Sequence, residues 1–556
     1  MKPHALDELR RLIVRAGENR LSLPEIMAEI PPEFLRRESD VAVAAGFLLA
    51  KKNKGGKPLD LVGRLLENIP PSPLIEKGSV HPPGYLNLKL SSGAFLELID
   101  QILTQGDQYP QNFPWQTLGV PDQVLLEFCS ANPTGPLHFG HARGSVLGDT
   151  LARIWRHLGV KVTTEHYIND IGTQIERLGA SLSARYQQEV LGRPEAAVPQ
   201  DGYHGDYLKT LAKKLPSGLD PADTKKFAEL GKEELLGLIK GQLKELGIRF
   251  DLWSPESALH ENGKVTGIIE DLKRKGYVAE KDGALWFTAK GLSEEDKERV
   301  LKRSDGRTTY FASDLAYHQD KFSRAPSGPV INIWGADHHG YVPRMKLGIE
   351  ALGLEAKRFE VILVQMVRLF RAGQPVTLSK RAGETMTPGE IIEEVGLDAL
   401  RFFLNARSPN AQLDFDLDLA KKTTPENPVY LIQYAHARIC SIEREKATRG
   451  VSWPQEKLVP GSNFSLENDP KTRELAVSLL FFSEALLASA LRRSPHHLAS
   501  YLIDLARTFN GYYETHPVLA ESSQELAFGR FRLCLAAKQI LATGLNLLGV
   551  SHPERM

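Results

Sequence analysis

The chain has 556 residues, 25% charged and 42% hydrophobic, with 69 basic and 69 acidic side chains and a net charge of +0. This composition excludes a disordered or fibrous chain, and the length suggests roughly three to four domains. No global field draws in a polyanion, so a nucleic-acid partner has to be held by local basic patches.

The amino terminus, "MKPHALDELRRLIVRAGENR", reads as an amphipathic charged helix without the apolar centre of a signal peptide. No apolar run approaches membrane-spanning length, so the expectation is a soluble, cytoplasmic protein with no membrane partner. Cys129, Cys440 and Cys534 are scattered and form no C-x-x-C pair, which argues against a disulfide framework and a Cys-rich zinc site. The first segment, 1–118, combines helical periodicity at Leu6, Leu9, Leu12 and Ile13 with the alternating strand "GYLNLKL" (84–90), as a small α+β unit does.

Next comes "VLLEFC" (124–129), a continuous apolar run of the kind a buried parallel strand shows. Leu147, Leu151, Ile154, Trp155 and Leu158 then recur at helical spacing up to Gly159, a C-terminal cap. The strand "KVTTEHYI" (161–168) follows, and strand, loop, helix, strand predicts a βαβ unit in a parallel sheet. Residues from about 181 to 253 are polar, Lys-rich and mostly helical, an insertion within one α/β domain spanning 119–386. Four further strand candidates are "ALWFTA", "TTYFAS", "PVINIWGA" and "FEVILVQMV". From Thr387 strand signals fade, and "NPVYLIQYAHARICSI", "RELAVSLLFFSEALLASAL" and "HHLASYLIDLARTFNGYY" carry helical periodicity, predicting an all-α bundle over 387–556.

The loop between the first strand and its helix lies at the C-terminal edge of the sheet, where α/β proteins bind ligands. Helix N-terminal amides attract phosphate, and Gly135 and Gly140 let a ligand approach the backbone. His138 and His141, one turn apart, are spaced to donate together to phosphate oxygens. From the residues alone two other readings stand: a metal pair, with no third ligand at a sensible spacing, and ordinary helix-surface histidines.

The string "ANPTGPLHFGHARG" (131–144) resembles the first signature of class I aminoacyl-tRNA synthetases, H-I-G-H, here His138-Phe139-Gly140-His141, in the extended form typical of arginyl-tRNA synthetases. "GQPVTLSKRAGETMTP" (373–388) resembles their second signature, K-M-S-K-S. Lys380 matches its catalytic lysine, and Thr377 stands where the first lysine would be, a departure common in arginyl enzymes. "YINDIGTQIERLG", "YHGDYL", "GLDALRFFL" and "LGVSHPERM" extend the resemblance over most of the chain.

The resemblance implies an arginine-tRNA ligase with a Rossmann-type parallel-sheet catalytic domain, an N-terminal α+β added domain and a C-terminal all-α anticodon-binding bundle. Its substrates would be ATP with Mg2+, L-arginine and tRNA(Arg), with no tightly bound protein metal, in a monomer. Adenylate formation would itself need bound tRNA. His138, His141 and Lys380 would be catalytic, and Pro136, His138, Gly140, His141, Asp337, His338, Ser379 and Lys380 would hold ATP. Arginine would be held by Glu127, Ser130, Asn132, His141, Tyr310, Asp314 and Asp337. Glu127 and Asn132 would take its α-amino and backbone groups, and Tyr310 and Asp314 its side chain. A carboxylate suits that side chain because the planar guanidinium fork pairs best with carboxylate oxygens. "WGADHHGYVPRMK" also matches the family, and leaves His339 without an individual role. For tRNA the resemblance implies Tyr85 and Asn87 on the D-loop side. Tyr430, Tyr434, Tyr512 and Tyr513 are aromatics that can stack on unpaired bases, although their helical spacing equally suits a core.

Three rivals remain on sequence grounds. A cysteinyl-type class I enzyme requires metal-ligating cysteines, which the scattered three disfavour. A non-catalytic RNA-binding paralogue would keep the scaffold without turnover, and a tRNA-independent nucleotidyltransferase leaves the helical C-terminal domain without a purpose.

Overall fold

In the computed structural model the apolar run Gln123–Glu127 becomes a strand (β1) whose Val124, Leu125 and Leu126 are fully buried, the two-sided burial of a central parallel strand. The structure describes residues 4–556 apart from 111–112, 114, 290–298, 377–378, 382–383, 454–456, 459–463 and 465, and the side chains of 34, 379–381 and 384–385. Two compact units emerge: residues 1–120 with 153–159 and 422–556, and residues 121–152 with 160–421.

The second unit is built on β1, the helix Phe139–His157 (α1) and the strand Lys161–Ile168 (β2), the βαβ unit expected from sequence. After β2 the chain leaves the sheet in the helices Thr173–Glu189 (α2), Tyr207–Lys214 and Thr224–Glu245. These close on their own core of Leu178, Leu182, Tyr186, Leu208, Phe227 and Leu235. The strand Leu252–Pro255 (β3) then pairs with β2. Beyond the helix Tyr310–Arg324 (α3), the strand Val330–Gly335 (β4) pairs with β1 on its other side. The helix Tyr341–Ala351 (α4) leads to the strand Phe359–Val364 (β5), which pairs with β4. All five strands are parallel, in the order β5-β4-β1-β2-β3. The chain progresses outward in opposite directions from the β1/β4 pair, and at such a switch point a crevice opens at the carboxyl ends of the strands.

Four sequence expectations change. "TTYFAS" is not a strand: Thr309 is the N-cap of α3, whose Phe311, Ala312, Leu315, Ala316 and Phe322 are buried at helical spacing, so the longer period overrides a short apolar run. β3 begins at the end of the stretch read as helical, because four residues beginning with an exposed leucine carry little strand signal. "ALWFTA" does form the strand Ala284–Phe287, but antiparallel between Val278–Lys281 and Val300–Lys302 in a separate sheet. "FEVILVQMV" divides into β5 and Val367–Arg371, and the latter pairs with Gln374–Val376 and, in parallel, with Leu413–Asp416. That last strand lies past Thr387, where alternating acidic residues ("LDFD") mask it.

In the first unit the amino-terminal helix Ala5–Ala16 buries Leu6, Leu9, Leu12 and Ile13 as its periodicity requires. A three-stranded antiparallel sheet orders Val41–Val43, Tyr85–Leu90 and Ile75–His81, with Tyr85–Leu90 in the middle. The carboxyl-terminal part is helical: Pro428–Thr448, Pro470–Leu480, Phe482–Leu491, His496–Tyr513 and Gln524–Leu548. Asp40 receives Arg473 Nε at 2.8 Å and Nη2 at 2.6 Å, and Arg10 pairs with Glu484, so two buried ion pairs join sequence-distant parts of this unit. The stretch Pro470–Leu491 contains an 18-residue window with a mean hydropathy of 1.7 and is long enough to cross a bilayer, contrary to the sequence expectation. Its apolar window is 78% buried, as a core helix pair is.

Candidate active site

The site begins where β1 ends. Beyond Glu127 the chain folds back through Cys129 (φ 68°) and Ser130 (φ 43°), two non-glycine residues in the left-handed region, a costly conformation that its surroundings must hold in place. Ser130 Oγ donates to Glu127 Oε1 at 2.8 Å and accepts the Tyr167 N–H at 3.1 Å, pinning the loop across β1 and β2. Helices of the insertion hold the next residues: Tyr207 Oη donates to the Thr134 carbonyl at 2.6 Å, and the Leu137 N–H donates to Gln242 Oε1 at 2.8 Å.

His138 and His141 then meet at the start of α1, with ring centroids 3.7 Å apart and planes 27° apart. A Cβ at Gly140 would lie 2.9 Å from the His138 ring, so glycine is what permits this stack. The His138 N–H points at His141 Nδ1, 3.3 Å away, which leaves Nε2–H as the His141 donor. Burial, with His138 and His166 nearby, pulls His141 down to about 3, and burial also lowers His138. Both rings are therefore neutral donors near pH 7. Among the described residues no group of three or more His, Cys, Asp or Glu is placed to hold a metal ion.

The second signature meets the first through the backbone. The Phe139 N–H donates to the Met386 carbonyl at 2.8 Å, and Thr387 caps the helix Pro388–Val395 in a capping box with Glu390. Backbone at Ser379–Arg381 pairs with Glu384–Thr385, while Thr377 and the side chains of Ser379 and Lys380 lie outside the described residues. Arg143, buried one turn into α1, clamps three carbonyls: Nη1 reaches Gln365 O at 2.8 Å and Ala411 O at 2.9 Å, and Nη2 reaches Ser408 O at 2.9 Å. This ties the histidine-bearing helix to the strands Val367–Arg371 and Leu413–Asp416, upon which the Gln374–Val376 strand also pairs.

A cleft of about 810 Å³ opens beside the carboxyl end of β4, walled by Tyr310, Asp314, Asp337, His338, Tyr341 and Arg344 among others. Tyr341 Oη donates to Asp314 Oδ2 at 2.6 Å. Burial pushes the Asp314 carboxyl up to about 7; Glu256 and Glu127 push the same way, while the Tyr341 hydrogen bond and Lys321 oppose them. Glu256 is 3% exposed, hydrogen-bonds with Tyr167, and has its Oε1 3.7 Å from His260 Nε2. The Asp314 carboxylate on the cleft wall, with the buried Glu256 adding negative charge nearby, suits a planar cation carrying several N–H groups. Tyr310, 55% exposed, opens the first turn of α3, and Asp337 and His338 are exposed at the end of β4, 3.7 Å apart.

Glu127 is already engaged. Its Oε2 receives Lys321, whose side chain is 0% exposed, and Lys321 also donates to Asn332 Oδ1 at 2.9 Å and lies 4.3 Å from the Tyr317 ring centroid. With Ser130 on the other oxygen, both Glu127 oxygens are taken by the chain, where sequence reasoning placed a substrate amine. Of the residues singled out from sequence, the cleft wall gathers Tyr310, Asp314, Asp337, His338 and His339. Glu127, Ser130, Asn132, Pro136, His138, Gly140 and His141 belong instead to the loop and helix start after β1, with Asn132 exposed and Pro136 half-buried. Sequence reasoning missed Glu256, Tyr341, Lys321 and Arg143. Arg143 and Tyr341 lay inside the strings 131–144 and 334–346 without being singled out.

In the first unit the Tyr430 and Tyr434 rings stack with centroids 5.7 Å apart, and the Arg438 guanidinium lies 4.7 Å from Tyr434 and 5.0 Å from Tyr513. All four are half-buried, whereas Tyr512 is buried and offers no face to a base. Asn87 is 3% exposed, so its side chain is not presented to a partner; Tyr85, half-buried, sits edge-on to the exposed Phe47 with centroids 5.8 Å apart.

Comparison with known proteins matches three family models: the class I (R) tRNA synthetase catalytic domain over 98–411, the arginyl tRNA synthetase N-terminal domain over 7–90, and the DALR anticodon-binding domain over 432–556. An arginine–tRNA ligase of Carboxydothermus hydrogenoformans is 41% identical over 556 residues, covering 99% of this chain and 97% of its own. One from Desulforamulus reducens is 40% identical over 547 residues, covering 97% of this chain and 95% of its own. The solved Thermus thermophilus arginyl-tRNA synthetase, 24% identical, shares the fold over 100% of both chains with a TM-score of 0.77.

Proposed function

The chain belongs to the arginyl-tRNA synthetases of class I, and we infer that it ligates L-arginine to tRNA(Arg) at the expense of ATP. The observation that carries this reading is the Asp314 carboxylate on the wall of a cleft beside a parallel sheet whose first loop holds His138 and His141. In the first step the arginine carboxylate attacks the α-phosphate of ATP and pyrophosphate leaves. In the second, a hydroxyl of the terminal tRNA ribose attacks the arginyl-adenylate carbonyl and AMP leaves.

The guanidinium lies against Asp314, with Tyr310 covering it from the rim. Mg2+ enters with ATP, as part of that substrate. His138 and His141, held neutral by burial, donate hydrogen bonds to phosphoryl oxygens as negative charge builds there, and Lys380 supports the leaving pyrophosphate. Ser379, Asp337, His338, Pro136 and Gly140 complete the ATP site, and Ser130 and Asn132 border the arginine backbone. No protein nucleophile or general base is required. The half-buried Tyr430, Tyr434 and Tyr513 with Arg438 offer π-faces and charge to unpaired anticodon bases. Tyr85 faces the D-loop side. A monomer in the cytoplasm completes the proposal, supported by the free state of Cys129, Cys440 and Cys534.

The test is charging of tRNA(Arg) with labelled arginine. Incorporation that requires ATP and is not matched by cysteine or glutamate is expected; tight tRNA binding with no charging would instead favour a non-catalytic paralogue.

A further inference from the structure

We propose that Lys321 sets the charge of the arginine cleft: its buried ammonium neutralises Glu127 and so leaves Asp314 as the ionised carboxylate that meets the guanidinium. The proposal rests on the function inferred above for that cleft.

Lys321 stands seven residues after Asp314 on α3, two helical turns along the same face. Its ammonium is wholly enclosed, by Glu127 Oε2 from β1, by Asn332 Oδ1 from β4 at 2.9 Å and by the Tyr317 ring at 4.3 Å. Those are the partners a buried cation needs. Through Glu127 and Ser130 the same lysine is linked to the Tyr167 amide on β2, so α3 and three neighbouring strands converge on it.

The charge count explains why a lysine belongs there. Glu127, Glu256 and Asp314 are three carboxylates, and the substrate side chain brings a single positive charge. Neighbouring carboxylates oppose each other's ionised form. Around Asp314, Glu256 and Glu127 favour its protonated form, while Lys321 and the Tyr341 hydrogen bond favour the ionised form. Tyr167 from β2 feels both Glu256 and Asp314, and Arg303 and Arg344 stand on the cleft wall. Without Lys321, Glu127 becomes a buried unpaired carboxylate, and Asp314 keeps its proton to higher pH. A protonated carboxyl cannot form the ion pair with arginine.

The experiment compares kcat/KM for arginine between about pH 5.5 and about pH 9.5 in the intact enzyme with tRNA and ATP, since this parameter reports ionisations of the free enzyme. The wild type should lose activity below about 7 as Asp314 protonates. Lys321→Met should move that limb up by about one pH unit, a roughly tenfold deeper loss on its acid side, with recovery in alkali and an unchanged KM for ATP. Glu127→Gln, which keeps the shape of the site and tests the idea even if Lys321→Met does not fold, should move the limb down. The double variant should bring it back towards the wild-type position, and Lys321→Arg should leave it there. A lysine of structural importance only would lower the melting temperature and depress activity equally at every pH, and a limb unmoved in both Lys321→Met and Glu127→Gln overturns the proposal. A wild type with no arginine-dependent activity overturns the functional reading itself, a distinct result.

Discussion

The Tyr341 hydroxyl donates to Asp314 Oδ2 at 2.6 Å, joining α4 to α3 at the wall of the cleft and fixing the carboxylate there. The bond favours the ionised form, yet burial and two neighbouring glutamates outweigh it, leaving Asp314 at about 7. Removing the charge should therefore hurt binding far more than folding. Asp314→Asn should raise the arginine KM by roughly 30-fold or more, the effect of removing one member of a buried charge pair worth about 2–5 kcal/mol, with ATP binding retained. An unchanged KM for arginine removes Asp314 from the pocket.

The same carboxyl links stability to pH. Its folded value of about 7 lies above the ordinary aspartate value of 3.8, so the folded state binds more protons and stability declines as pH rises from near 4 through 7. Arginine reverses this by favouring the ionised form. Arginine binding should release protons below pH 7 and almost none well above it, measurable by calorimetry in buffers of different ionisation enthalpy. Above pH 7 the ligand-free Asp314→Asn protein should melt higher than wild type. A lower melting temperature there would contradict the raised proton affinity of this carboxyl in the folded state.

His141 offers a sharper pH test. Because burial draws it down to about 3, its protonation cannot shape activity between pH 5 and 9. His141→Ala should cost about 10²–10³ in adenylate formation, as loss of one preorganised donor does, without introducing or removing an ionisation in that range. A histidine limb near pH 6.5 that vanishes in the variant would show a charged imidazole at work.

Lys380 should act on the leaving group alone. Lys380→Ala is expected to depress pyrophosphate exchange strongly while arginine affinity, read by equilibrium binding, changes little. Normal exchange would take this lysine out of the mechanism.

Arg143 is the mechanical counterpart. Its three carbonyl contacts make Arg143→Met a loss of about 2–5 kcal/mol in stability, since charged hydrogen bonds are removed from a buried site. Denaturant melts followed in the catalytic unit should show it. Stability equal to wild type would mean the clamp is relaxed in solution.

Much of the scaffold was legible because it is local. The run Val124–Glu127, the loop with His138 and His141, and the helix after it are contiguous, and each segment carries its own period or turn chemistry. The partners that complete the cleft are not contiguous. Glu256 opens a short helix after β3, and Lys321 reads in sequence as one cation in the charged run "QDKFSR". Lys321 shares a helix with Asp314, but its contacts with Glu127 and Asn332 exist only once β4 returns beside β1. Asn87 failed for a related reason: strand alternation puts it on the face of Tyr85, but Tyr85–Leu90 is the middle strand and is covered there. "TTYFAS" misled because β-branched and aromatic residues at a helix start mimic a strand until the next two turns are counted.

The most direct test of the inferred activity is arginine-dependent exchange of pyrophosphate into ATP, with and without tRNA(Arg), and with cysteine and glutamate as controls. Exchange with arginine alone among the three, and only when tRNA is present, is the expected result. Absence of exchange under every condition, with tight tRNA binding intact, would contradict the ligase reading and leave an RNA-binding protein on a synthetase scaffold.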